Sequence, residues 1–455
     1  MSGVASNPAL PTRLLLRLLA HDENGGDGPP RSAVHRAALP ESAVAVILAH
    51  PNPYARIDFA VSAPAAPEQR ARLADDPSAE VRAALAYGPG RHPRTKVAPL
   101  PDSVCARLLD DPEPSVRAAL LNSPHLTASF AASLATHHDP AARCRAVRTW
   151  DSLPPDRRAA LSADPAPEVR RAAALRECPR DARLTAELLR DPESLPEALR
   201  RGLLGRADAE RFVAERTHLL ALAENPSLPA DLVDRLAVDP DEGVRLAVSL
   251  RPELTEARRM AIDFPVGQGA GEDAEWVRDG LADPDVLRRA ATSAHPLLRR
   301  AAAKSPHLPP DLLRLLAEDD DRLVHTHLAL HHPDTPVEVL MNVYTWLGGT
   351  FSAWMTTTHP RFPREGLAAR YADHPEGIYR LLAVRDPAAT PELIERLSRD
   401  PEVKVRQEAT GDPRLPLARL REALGHADVA YAAAANPALP EDEMAAVLDR
   451  AGVPG

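Results

Sequence analysis

Apolar residues recur along this chain in short bursts that keep one phase. In the stretch DPEPSVRAALLNSPHL, Asp111 to Leu126, Val116, Ala119 and Leu120 fall at i, i+3 and i+4, one face of a short helix. The same wording returns at Asp76, Asp139, Asp164, Asp239 and Asp400. With Asp as position zero, Pro follows, position five is apolar and position six is Arg. The carboxylate is expected to cap the helix, with Pro at its first position where no N–H is needed. A second phrase, Pro-x-Leu-Pro followed by an apolar run, alternates with the first at Pro8, Pro226, Pro306, Pro413 and Pro437. Its first proline stops one helix and its second opens a shorter one.

The spacing sets the architecture. The second-phrase slots at Pro306, Pro333, Pro360, Pro387, Pro413 and Pro437 are separated by 27, 27, 27, 26 and 24 residues. One helix of three turns and one short α- or 3-10 helix fill such a unit. Neither buries its apolar seam alone, so the units must stack. The expectation is an all-α solenoid of about sixteen repeats of 24–27 residues, running through 1–455 as one continuous array.

Wording and period together resemble the leucine-rich repeat variant family, over roughly residues 7–450. HEAT-like repeats share the Asp-x-x-x-Val-Arg wording but use longer units. The resemblance implies a right-handed superhelix without strands and a binding scaffold with no particular partner. Some members of that family carry an N-terminal cysteine cluster for an iron–sulfur centre. This chain has no cysteine before Cys105, so that centre is not carried over.

Composition narrows the functional classes. Of 455 residues 48 are proline, but most keep the register and so punctuate helices rather than dissolve them. Net charge is −10 with 26% charged residues, which excludes a wholly basic nucleic-acid binder and leaves room for a local basic face. Three cysteines point away from a disulfide framework and toward a cytoplasmic protein. No apolar run approaches the roughly 20 residues of a membrane span.

Candidate function falls where the pattern breaks. Residues 1–36 form an N-terminal unit with a flexible insertion at 22–31, residues 179–226 are irregular units, and 437–455 are read as a C-terminal cap. The loop 89–97 gathers Arg91, Arg94 and Lys96, a candidate clamp for an acidic partner. The glycine-rich insertion 264–273 has neither the Lys-Ser/Thr nor the preceding strand of a nucleotide loop. Residues 341–360 hold Tyr344, Trp346, Phe351 and Trp354, four of the chain's 16 aromatics, in a divergent unit read as a binding patch.

Arginine occupies position six at Arg56, Arg82, Arg117, Arg145, Arg170, Arg245, Arg299, Arg380 and Arg406. Stacking would align these as a ladder, bonded to neighbouring aspartates and carbonyls, or alternatively as a stripe for a nucleic-acid backbone. His325 replaces the ladder arginine in its unit. His327 and His331 have i, i+4 spacing, but position eight normally faces inward, so no metal and no cofactor are expected. No nucleophile elbow, HExxH, Walker loop or CxxC pair is present. The reading is a non-enzymatic scaffold that binds a protein or peptide. The alternatives are a nucleic-acid-associated repeat protein and an enzyme whose site is assembled from distant repeats.

Overall fold

The computed structural model describes residues 1–21, 29–90, 97–266, 274–348 and 356–455. Arg91, Arg94, Lys96, Phe351 and Trp354, most of the 22–31 insertion and the glycines at 267, 269 and 271 lie outside the described residues. Among the described residues every regular element is helical and none is a strand. Two compact units form, one of Met1–Ser152 with Arg364–Gly455, the other of Leu153–Pro363.

Position five seeds the core. Val81, Val116, Val169, Val244, Val324 and Val405 are all buried. In the first unit the helix Pro53–Ala60 packs on Ala79–Tyr87, which packs on Pro114–Leu121. In the second, Leu195–Arg201 packs on Leu219–Glu224, and that on Glu242–Ser249. These helices are too short to be stable alone, so burial of the seam between neighbours holds them.

The first unit also joins the two ends of the chain. Val403–Gly411 packs on Ala430–Ala435, Ala430–Ala435 packs on Ser2–Ser6, and Ser2–Ser6 continues onto Arg31–Val34. Arg13 pairs with Glu441 at 2.6 Å and Arg17 with Asp449 at 2.7 Å across this junction.

The aspartate of the first phrase is not the helix cap. Asp76, Asp111, Asp164, Asp239 and Asp400 each accept, at 2.9 Å, the N–H two residues on, and the helix starts after that residue. Asp-Pro is therefore a side-chain-closed turn leading into the helix, as the fixed φ of proline favours. Asp139 is the exception, a true cap that accepts from Ala141 N–H at 2.9 Å. There His137 stands at position zero, its Nδ1 accepting from Asp139 N–H at 3.1 Å. The register shifts by two, and Arg143, not Arg145, holds position six.

Candidate functional site

The arginine column has one geometry. From position six each guanidinium reaches back to the carbonyls at positions zero and one of its own turn: Arg82 to Asp76 and Pro77, Arg117 to Asp111 and Pro112, Arg170 to Asp164 and Pro165. Arg143 does the same to His137 and His138, at 2.7 and 2.9 Å. Arg145 makes one long contact, 3.4 Å to Ser123 O, and its buried Nε has no hydrogen-bond partner. The other guanidinium edge engages the next unit's position-zero carboxylate: Arg56 with Asp76, Arg82 with Asp111, Arg299 with Asp319 and Arg380 with Asp400, at 2.5–2.7 Å. Arg406 reaches Asp428 at 2.7 Å, and Arg245 reaches the carbonyl of Asp263. The planar five-donor group suits this double duty.

A second column escaped the sequence reading, although its residues precede the first proline of the second phrase. Asn225 donates to Leu199 O and Gly202 O, Ser305 to Leu281 O, and Asn436 to Thr410 O and Asp412 O. His332 Nε2 meets Ala303 O at 2.9 Å and His359 Nε2 meets His332 O at 2.7 Å. Each satisfies carbonyls at or just past the end of a helix 23–29 residues back along the chain. A polar residue at this one slot was the available signal.

The aromatic segment divides. Pro336 leads into the helix Val337–Leu347, which buries Val339, Leu340, Val343 and Tyr344 and ends at Gly348 with φ +64°. Tyr344 is 1% exposed, its ring 5.7 Å from that of Phe362. It is core, and the expectation that it contacts a partner is corrected. Trp346 falls at the edge of the buried face, next to the helix end, and is 39% exposed. It opens on a groove of about 510 Å³, shared with Asp320, Arg322, His325 and Asn342. The Arg322 guanidinium sits over the indole at 6.0 Å, a cation–π arrangement. The Nε2 of half-buried His325 has no hydrogen-bond partner. The groove thus combines an aromatic face with both charges and an amide, while the unmatched His325 Nε2 is buried behind it.

Ser249 and His295 come within 3.0 Å, but both are buried, and His295 Nδ1 already accepts Leu297 N–H. The hydroxyl of Ser249 donates to Leu246 O. Burial pushes the thiols of Cys105 and Cys178 up to about 11, the opposite of nucleophile activation. The rings of His327 and His331 lie 6.1 Å apart, and no three metal-type ligands gather among the described residues. None of the described helices is long and apolar enough to cross a membrane.

No known family model matches the chain, and no curated protein matches it.

Proposed function

We propose that this chain is a non-enzymatic binding scaffold that takes an extended peptide segment of another protein, with Trp346 as an anchor. The architecture behind the proposal is a right-handed α-solenoid of about sixteen units, similar to leucine-rich repeat variant proteins, working in the cytoplasm. The observation that carries the reading is the Trp346 groove. A half-exposed indole, the exposed Asn342 amide and the charged side chains of Asp320 and Arg322 stand together, an aromatic anchor beside polar groups that can meet a peptide backbone. Against the nucleic-acid reading stands the arginine column, whose guanidiniums are engaged by carboxylates and carbonyls.

A peptide-display selection on the wild-type chain, followed by fluorescence polarisation of the selected peptides, tests this. Trp346→Ala, shown folded by circular dichroism, should weaken them by at least about tenfold, about 1.4 kcal/mol. Selected peptides bound equally by the variant would remove Trp346 as the anchor. Oligonucleotide binding that falls steeply with salt would favour the alternative.

A further inference from the structure

A second cavity, of about 580 Å³, lies within the unit Leu153–Pro363, well within the range of small-molecule sites. Its apolar lining comes from Pro226, Ala247, Leu250, Pro252 and Trp276. The indole is fixed, since Nε1 donates to Leu250 O at 2.8 Å and Arg289 covers a face at 5.0 Å.

The polar lining sets four arginines, Arg200, Arg201, Arg251 and Arg278, against the carboxylates Glu224, Glu275 and Asp279, the last 3.5 Å from Arg278 Nε. Arg200 is paired with Glu224 at 2.6 Å. Arg251 is 3% exposed, and its Nη1 is spent on Ala223 O and Asn225 O, both at 2.7 Å. Its Nε is taken by Glu253. Its Nη2 is buried without any hydrogen-bond partner. A buried charged side chain with one donor unmet is a group that an incoming acceptor would satisfy.

Glu275 shows what such an acceptor looks like. Its Oε1 lies 2.5 Å from Arg201 Nη2 and 3.3 Å from Arg278 Nη2, a contact between helices 74 residues apart in the case of Arg201. This carboxylate is 43% exposed, so a ligand can displace it.

We propose that the cavity binds an apolar carboxylate, a body of phenyl or branched-alkyl size laid on Trp276 and Leu250 with its carboxylate in the cradle of Arg201, Arg251 and Arg278. Glu275 occupies the Arg201 and Arg278 part of that cradle when no ligand is bound and leaves Arg251 Nη2 unmet. The site is separate from the Trp346 groove. The shared chemistry belongs equally to a free small acid and to the C-terminus of a peptide.

Titration calorimetry on the full chain reads this with 3-phenylpropionate and its amide, and with acetyl-Gly-Ser-Leu-Phe bearing a free or an amidated C-terminus. Either carboxylate should bind at least about tenfold more tightly than its amide. Binding of 3-phenylpropionate assigns a small acid, and binding of the free-terminus peptide alone assigns a chain end. Arg201→Gln should weaken binding and Glu275→Gln should strengthen it, each by about tenfold. Trp346→Ala should leave binding unchanged, which separates this site from the peptide groove. Carboxylate and amide binding alike, no binding by any of the four, or Glu275→Gln without effect would each overturn the assignment. Arg201 is half-exposed, so its variant tests the cradle without removing the buried Arg251.

Discussion

Asn7 donates its side-chain amide to the carbonyl of Asn436 at 2.7 Å, and Asn436 donates its own to Asp412 O at 2.7 Å and Thr410 O at 2.8 Å. Asn7 also reaches Ala434 O at 3.1 Å. The contact that links neighbouring units within the chain therefore links its last helices to its first.

Asn7→Ala would leave these carbonyls, at a fully buried site, without their donor. We expect a loss of about 1–3 kcal/mol. Urea unfolding gives the magnitude, and hydrogen exchange gives the location: amides in Ala430–Ala435 should exchange faster together with those of Ser2–Ser6. Faster exchange on one side alone would mean that the two ends are not energetically coupled.

Arg380 and Asp400 form a buried bidentate pair, with Nε and Nη2 each 2.7 Å from a carboxylate oxygen. Burial by itself would raise the Asp400 carboxyl, but Arg380 and the Glu402 amide outweigh it and hold the carboxyl below its usual range. That stabilisation is present above the unfolded carboxylate pKa and is lost as pH falls through the lower folded value. Arg380→Met alone should cost about 3–5 kcal/mol, and Arg380→Met with Asp400→Leu distinctly less than the sum of the two single changes. A double-mutant cycle in urea checks it; additivity would refute the coupling.

Arg143 and Arg145 lie two residues apart, the size of the register shift that gives position six to the first and not to the second. Arg143→Ala removes two charge-assisted hydrogen bonds and should cost about 1.5–3 kcal/mol. Arg145→Leu removes a half-buried guanidinium whose Nε is unmatched and whose pKa burial already lowers. It should be near neutral. Reversed thermal shifts for the two variants would restore the original register.

His295 is buried and neutral, its pKa lowered to about 4 by burial and by Arg259. Its folded pKa lies below the unfolded value, so the unfolded chain binds the extra proton first. Stability should fall as pH drops from about 6.5 to about 4, by up to about 3 kcal/mol. His295→Asn keeps a side-chain acceptor for the cap on Leu297 N–H and should flatten the slope in that window. An unchanged slope between pH 4 and 6.5 would assign it to other groups.

Much of this protein was legible in its sequence because capping, proline placement and helical phase act within six or seven residues. The alternating phrases marked the short helices, the buried position-five valines and the arginine column. The same local logic misplaced the Asp-Pro cap and took Asp139 for position zero, since either an aspartate or the imidazole of His137 can close such a turn. Tyr344 and Trp346 were indistinguishable as letters. Two residues apart on one helix, they differ by about 200° in direction, and it is tertiary packing, which sets Tyr344 beside Phe362, that decides which is core.

The sequence by itself determined helical class, repeat period and core phase, because those depend on near neighbours along the chain. Only the tertiary structure decided which carboxylate each arginine meets, that Ser2–Ser6 rests on Ala430–Ala435, and that Arg201 and Glu275 share a cavity wall. Those contacts depend on how helices stack, and stacking brings together residues whose separation along the chain carries no local signal.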